Sequence, residues 1–263
     1  MARYKLTLEY AGTRYSGWQI QTNARTVQGE LNRALHEVTR GRAETYGAGR
    51  TDAGVHALGQ VAHADLAATL PPATLVARVN DALPHDINIL SAERVAPRFH
   101  ARHSAVARSY VYQIALRRTA FAKPFVWWVR EPLDLPSMVA AARTLAGFAD
   151  FRAFTDDDPD EKSTQVLVSE LRVSEAGALL LVRVTGSHFL WKMVRRIVGV
   201  LAEVGRGNLS PDSVAALLAN PDDATNANLP ARLTAPASGL FLEAVFYEPP
   251  PPDRPLRPIV MEL

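Results

Sequence analysis

The order of two hydrophobic patterns constrains the fold of this chain more than any single residue does. Residues 3–10 alternate between polar and apolar side chains, as in a strand with one buried face, and residues 27–38 carry apolar side chains at helical spacing. Further strand and helix patterns complete the series strand, helix, strand, strand, helix, strand, and they lie at 42–48, 57–66, 74–83 and 86–95. This order predicts a split βαβ arrangement with an antiparallel sheet.

The second half of the chain repeats the same order of patterns and adds one helix. Its predicted elements are a strand, a helix, a hairpin, a helix, a short helix after Ser210 and a last strand, at 107–116, 135–147, 166–184, 189–204 and 240–246. The sequence predicts an α+β fold of two ferredoxin-like or RRM-like βαββαβ halves, whose antiparallel sheets lie side by side around a central cleft. The predicted halves are residues 1–103 and 104–248, and a proline-rich tail, extended or mobile, covers 249–263.

Composition narrows the classes of protein to consider. The chain has 263 residues and no cysteine, which excludes disulfides, thiolate metal ligands and thiolate nucleophiles. No apolar run approaches the ~20 residues that cross a membrane, and the alternating N-terminal segment does not resemble a signal peptide. We therefore expect a cytoplasmic protein.

The basic residues give a weaker indication of the partner. Net charge is only +2, and four of the 29 basic residues are lysines. Arginine suits bidentate phosphate contacts and stacking on bases, but an arginine-rich chain also results from a GC-rich genome. The arginines therefore indicate RNA binding only where they cluster.

Residues 49–57 read Gly-Arg-Thr-Asp-Ala-Gly-Val-His-Ala and interrupt the strand patterns of the first half. The glycines at 49 and 54 predict a tight loop, because glycine adopts backbone angles that other residues avoid. The apolar alternation resumes after the loop, so we expect it to join two strands and to raise Asp52 out of the sheet. An Asp in such a loop most often bonds to its own backbone, so the loop alone leaves the function open.

Three motifs together resemble the tRNA pseudouridine synthase A (TruA) family. The loop at 49–57 resembles the family signature Arg-Thr-Asp-Ala-Gly-Val-His-Ala, in which the Asp is catalytic. Residues 108–112 match the pattern Arg-x-Tyr-x-Tyr, and residues 189–199 match Phe-Leu-x-x-Met-Val-Arg-x-Ile-Val-Gly. Further similar segments lie at 79–84, 99–102 and 239–242.

This resemblance implies a pseudouridine synthase fold and an isomerase that converts uridine to pseudouridine. It also implies a tRNA substrate modified in the anticodon stem-loop at positions 38, 39 and 40, a homodimer, and no cofactor. The reaction breaks the glycosidic bond at N1, turns the uracil and joins C5 to C1′. It therefore needs a carboxylate beside the nucleotide, a surface that holds the detached base, and extrusion of that base from the helix.

The resemblance assigns candidate roles to five residues. Asp52 is the nucleophile or base, and Arg195 is its ion-pair partner. Tyr110 offers a ring on which uracil can stack, while Arg50 and His56 are substrate-binding candidates. By spacing alone, Arg195 could equally lie on a solvated helix face or bind an RNA phosphate, and whether Asp52 attacks the ring or the sugar stays open.

Two other interpretations are consistent with the sequence. The chain could be a non-catalytic RNA-binding protein with two RRM-like halves, although no aromatic RNP-type signature is present. It could also be a small-molecule enzyme with Asp52 as general base. The seven histidines show no spacing typical of a metal site.

Two loops add expectations of their own. Tyr15 and Trp18, in the loop at 11–25, could stack on RNA or pack within their own domain. The acidic run at 156–161 is expected to be a solvated turn away from RNA.

Overall fold

The computed structural model describes residues 1–221 and 228–259, and it divides the chain into two compact units. The first unit comprises residues 1–106 together with 241–249, and the second comprises residues 107–240 together with the segment that begins at 250. The described residues contain six α-helices and a mostly antiparallel set of strands. The predicted α+β class is confirmed.

The first unit has the predicted βαββαβ order. Its elements are β1 (Ala2–Tyr10), α1 (Val27–Thr39), β2 (Thr45–Gly47), β3 (His56–Leu66), α2 (Pro72–Ala82) and β4 (Ile87–Val95). Strand β1 lies between β3 and β4 and is antiparallel to both, so that Leu6 faces Ala62 on one side and Ala92 on the other. The short β2 pairs with the far edge of β3.

The alternation in β1 and the apolar spacing of the helices form the core of this unit. One face of β1 is buried, and its members are Tyr4, Leu6, Leu8 and Tyr10. Helices α1 and α2 bury Leu31, Leu35, Leu75 and Val79. Thr26 caps α1, since its side chain accepts a hydrogen bond from the Gly29 amide. The residue with left-handed backbone after α1 is Arg40, at φ 52°.

The second unit contains more strands than its sequence pattern indicated. Its elements are β5 (Ala107–Ala115), β6 (Trp127–Trp128), α3 (Leu135–Thr144), β7 (Gly147–Asp150), β8 (Gln165–Ala176), β9 (Leu179–Gly186), α4 (Met193–Gly205), α5 (Pro211–Ala219) and α6 (Leu229–Arg232). The strands follow the order β5, β9, β8, β7, and β6 pairs with β5 in parallel.

One additional strand and two helix boundaries in this unit correct the sequence prediction. Strand β6 has only two residues, too few to show a periodicity. Helix α3 ends at Thr144 because Gly147, at φ +112°, turns the chain into β7. Helix α4 begins at Met193 rather than at 189, since Lys192 has a left-handed φ of 59°.

The last strand, β10 (Leu240–Phe246), does not belong with the half to which the pattern assigned it. Phe241 and Leu242 pair in parallel with His56 and Ala57 of β3, so β3 lies between β1 and β10. Residues 241–249 therefore belong to the first unit, whereas the predicted division placed residues up to 248 in the second half.

Residues 250–259 turn at 252–253, where Asp253 has a left-handed φ of 55°, and are bound to the second unit. The buried Arg183 donates hydrogen bonds of 2.8 Å to the carbonyls of Arg254 and Pro255. The Ile259 amide donates to Gln113 Oε1 at 2.7 Å. The predicted tail thus docks through backbone groups along its length up to Ile259.

Candidate active site

The loop that carries Asp52 joins β2 to β3, as predicted. Asp52 is partly exposed, and its carbonyl accepts a hydrogen bond of 3.1 Å from the Val55 amide, which closes the turn. Gly54 has φ +80°, a conformation that glycine adopts without strain. Gly49 does not adopt a positive φ, so only one of the two predicted glycines serves the turn in this way.

Residues 12–18 hold the Asp52 loop by its backbone. The Trp18 amide donates to the Thr51 carbonyl at 3.0 Å, and the Gly54 amide donates to the Tyr15 carbonyl at 3.3 Å. Gly12 lies so close that a Cβ on it would be 1.9 Å from the Val55 carbonyl oxygen. The loop therefore rests on a neighbouring stretch of backbone that leaves no room for a side chain.

A buried polar cluster fixes the strand side of the same loop. The Tyr10 hydroxyl and Thr51 Oγ1 lie 2.8 Å apart, and Gln60 Nε2 donates to the Gly49 carbonyl at 2.9 Å. Burial raises the pKa of Tyr10 to about 12, although its bonds to Thr51 and Gln60 oppose that rise. The phenol thus stays a neutral partner at ordinary pH and anchors the residue that precedes Asp52.

The aromatic residues of the first long loop pack within their own unit. Tyr15 and Trp18 are 4% and 1% exposed, which leaves no ring face for a base. The indole of Trp18 lies against Gly47, and the Tyr15 hydroxyl donates to Asp86. Of the two roles the sequence allowed, the structure supports the packing role.

Arg50 and His56 lie at opposite ends of the loop and differ in environment. Arg50 is exposed next to Asp52 in the chain. His56 is only 1% exposed, accepts a 3.0 Å hydrogen bond from the Gly12 amide at Nδ1, and stacks on Phe241 at 4.7 Å. Its ring therefore joins the loop to both the Gly12 segment and β10.

Tyr110 and Tyr112 lie on one face of β5 in the second unit, as their spacing predicts. Tyr112 is fully buried and donates its hydroxyl proton to the Pro236 carbonyl at 2.8 Å. Burial raises its pKa above the ordinary range, and the neighbouring Arg195 opposes that rise. Tyr110 is 8% exposed and meets the ring of Phe189 edge-on at 5.1 Å. Tyr112 is thus a core residue, and Tyr110 lies nearer to solvent.

Arg195 lies in the first turn of α4 and is fixed by the segment at 233–236. Its Nε donates to the Ala235 carbonyl at 2.7 Å, and the Ala235 amide donates back to the Arg195 carbonyl at 3.0 Å. A Cβ on Gly199 would lie 1.6 Å from the Leu233 carbonyl oxygen, so the segment touches the helix backbone. Arg195 is partly buried, which differs from a freely solvated helix position.

The acidic run does more than the solvated turn expected from its composition. Asp156 forms an ion pair with Arg196, which is 2% exposed, and lies 3.6 Å from Lys192 Nζ. The hydrogen bond from Arg196 holds the pKa of the Asp156 carboxyl below its usual value. Asp157 accepts a 3.0 Å bond from the Trp191 amide. The acidic loop therefore stabilises the start of α4.

Sequence reasoning missed the groups that hold the candidate side chains. These are Tyr10, Thr51, Gln60, Asp156 and the segment at 233–236. Only the Asp156 pair carried a signal, because an acidic run and a basic helix start occur in the same half. Within the described residues, no group of three or more acidic or histidine side chains is arranged to hold a metal ion, and no helix is long and apolar enough to cross a membrane.

Comparison with known proteins shows the family. Residues 7–104 and 141–248 match the sequence model described as tRNA pseudouridine synthase, and these residues include Asp52 and Arg195 but not Tyr110. Proteins named tRNA pseudouridine synthase A occur in Nitrobacter hamburgensis, 42% identical over 250 residues, and Pelobacter propionicus, 41% identical over 249 residues. Each alignment covers 94% of this chain and the whole of the relative.

A third protein of that name, from Maridesulfovibrio salexigens, is 37% identical over 252 residues, which cover 94% of this chain and 91% of the relative. The family match extends over most of both units. The chain therefore belongs to the tRNA pseudouridine synthase A family and is an isomerase that acts on tRNA.

Proposed function

We propose that this enzyme converts uridine to pseudouridine in the anticodon stem-loop of tRNA, at positions 38, 39 and 40, with Asp52 as its catalytic carboxylate. The observation that carries this proposal is the support of the Asp52 loop. Backbone hydrogen bonds from Trp18 and Gly54, and a hydroxyl contact to Thr51, hold the backbone on both sides of Asp52, whose residue is partly exposed. A reaction that rearranges a sugar and a base around one carboxylate requires such positioning.

Asp52 acts as an ionised group, either as nucleophile or as base. The N1–C1′ bond breaks, the uracil turns, C5 bonds to C1′, the proton on C5 leaves to solvent, and N1 takes up a proton from solvent. We assign Arg195 as the cation that stabilises the carboxylate during these steps. Its Nε is already bound to the Ala235 carbonyl, so the direction of the guanidinium plane is set before any substrate arrives.

The aromatic and basic candidates have supporting roles in this proposal. Tyr110 supplies the ring that holds the detached uracil, and its edge-on contact with Phe189 orients that ring. Arg50 binds a phosphate of the extruded nucleotide. His56 acts as a positioning residue for the Asp52 loop, because its buried ring bonds to the Gly12 amide. The homodimer implied by the family resemblance and the cytoplasmic location expected from the composition belong to the same proposal.

Tritium release from tRNA labelled at uridine C5 tests both the activity and the site. We expect release from an unmodified transcript and little release from one whose uridines at 38, 39 and 40 are replaced by cytidine. A transcript with the same number of replacements in its acceptor stem is the control and should behave like the unmodified one. Binding without any release would support a non-catalytic RNA-binding protein instead.

A further inference from the structure

The segment at 117–130 in the second unit, here called the basic arm, has an unusual surface that the proposed chemistry does not use. It carries four cations and no acidic residue. All four cations are exposed, and they are Arg117, Arg118, Lys123 and Arg130. Four positive charges on fourteen residues contrast with the net charge of +2 for the whole chain.

Two large aromatic side chains of the basic arm face solvent. Phe121 is 84% exposed and Trp128 is 42% exposed. The guanidinium of Arg118 lies 5.9 Å from the Trp128 ring, within reach of a cation–π contact. Most of the Phe121 ring and a large part of the Trp128 ring are therefore open to a ligand.

The backbone of the basic arm is nevertheless fixed. Ala122 and Val126 belong to a buried cluster with residues of β5 and β9. Gln113 Nε2 donates to the Phe125 carbonyl at 3.0 Å, and the Val129 amide donates to the Ala115 carbonyl at 3.1 Å. The exposed rings therefore stand on an ordered base, which lowers the entropy cost of a stacking contact.

We propose that the basic arm binds unpaired nucleotides of the tRNA substrate, with bases stacked on Phe121 and Trp128 and phosphates contacted by the four cations. Aromatic rings interleaved with cations are the surface that single-stranded RNA requires. A second copy of this chain fits the surface less well. A two-fold dimer through the arm would place eight positive charges face to face without an acidic partner. This inference rests on the tRNA substrate of the proposed function.

The stacking part is tested with a Phe121→Ala/Trp128→Ala double variant and fluorescently labelled RNA. We expect the affinity for a single-stranded oligouridylate to fall at least about fivefold, the lower end of what one lost base–aromatic stack costs. Affinity for an RNA duplex of equal length should change less. The matched control is Phe148→Ala, because Phe148 is 71% exposed in the same unit but lies outside the arm.

The phosphate part is tested with an Arg117→Gln/Arg118→Gln variant. Loss of two phosphate contacts should make the plot of log affinity against log salt less steep by about 1.4 for single-stranded RNA. An Arg143→Gln/Arg172→Gln variant removes the same charge from two exposed positions outside the arm and should leave the slope nearer to that of the wild type. Circular dichroism melts confirm that each variant is folded.

The outcomes separate this inference from the proposed function. In single-turnover tritium release, the enzyme concentration that gives half the maximal rate should be higher for the Phe121/Trp128 variant than for the wild type. The maximal rate itself should stay unchanged. Unchanged RNA affinity, or an equal loss in the Phe148→Ala control, would overturn the inference and leave the proposed activity intact. A change in sedimentation from dimer to monomer without loss of RNA affinity would assign the arm to self-association. If the wild type releases no tritium, the proposed function fails, and the binding comparison still decides the role of the arm.

Discussion

The Asp52 loop of the first unit and the start of α4 in the second unit are held in different ways. In each unit a glycine lets two segments meet closely: Gly12 contacts the Asp52 loop at Val55, and Gly199 of α4 contacts the segment at 233–236. The Asp52 loop then depends on backbone hydrogen bonds and buried neutral hydroxyls. The start of α4 depends in addition on the ion pair between Asp156 and the buried Arg196.

This difference predicts how each region responds to change. A region held by shape is sensitive to added volume and insensitive to pH near neutrality. A region held by a charge pair is sensitive to the loss of one partner, because the remaining charge is buried without compensation. The loop of the proposed catalytic carboxylate and the helix of its proposed cation are therefore expected to lose their structure under different conditions.

The largest effect on the shape-held region is expected from Gly12→Ala. The new methyl group would lie 1.9 Å from the Val55 carbonyl oxygen, so the Asp52 loop must move. We expect tritium release to fall at least about a hundredfold, because a small displacement of a catalytic group has that cost. Stability should fall by about 3 kcal/mol in denaturant titrations.

Gly41→Ala is the control for this substitution, since the nearest atom to its new methyl group lies 3.8 Å away. Equal activity in the two variants would show that the close approach of Gly12 does not position the loop.

The next largest effect concerns the charge-held region. Asp156→Asn should lower the unfolding free energy by about 2 kcal/mol at neutral pH, because it leaves Arg196 buried without its carboxylate. The pKa of Asp156 is lowered by Arg196, so the stabilisation is present above the ordinary value of 3.8 and is lost as pH falls through the folded-state value. The difference in unfolding free energy between the wild type and Asp156→Asn should therefore become smaller below about pH 4.

Asp160→Asn, in the same acidic run, provides a matched control at an exposed position. If the difference in unfolding free energy between the wild type and Asp156→Asn stayed constant down to about pH 2.5, the stabilising role of the ion pair would be contradicted.

The smallest effect is expected from His63, which makes the stability of the first unit depend on pH and lies outside the Asp52 loop. Burial, with help from His100 and Arg3, lowers the pKa of His63 to about 4. The unfolded chain binds a proton between about pH 6.5 and 4 that the folded chain does not, so stability falls as pH falls through this window. His63→Gln should reduce that loss by roughly 1–2 kcal/mol, about half of the full linkage value, because the neighbouring His100 and Arg3 are only partly buried.

His85→Gln, at an exposed histidine of the same unit, should leave the pH dependence of unfolding as it is in the wild type. If His63→Gln and wild type show parallel curves from pH 7 to 4, another group causes the acid sensitivity.

Much of the fold could be predicted from the sequence because local patterns determine it. The alternating strand β1, the helix α1 and the strand β5 all appear where expected. These features depend on neighbours within a few residues of one another, and such neighbours are visible in a sequence. The Asp52 loop was equally visible, since its motif and its Gly54 turn are local.

Other features depended on contacts between distant parts of the chain. Strand β10 pairs with β3, with Phe241 opposite His56. The periodicity of either strand does not indicate which strand is its neighbour. The segment at 233–236 has no apolar pattern, yet it binds Arg195 and Tyr112 through two carbonyls. The burial of His56 also depends on this long-range pairing, so its stacking on Phe241 and its bond to Gly12 could not be predicted from the local motif.

The central claim is that the Asp52 carboxylate performs the chemistry, and Asp52→Asn tests it most directly. The amide is nearly the same size, so the loop supported by Trp18 and Thr51 should stay intact. We predict that tritium release under single-turnover conditions falls at least about a thousandfold, while affinity for tRNA stays within about threefold. Release within about tenfold of the wild-type rate would contradict the assignment of Asp52 as the catalytic residue.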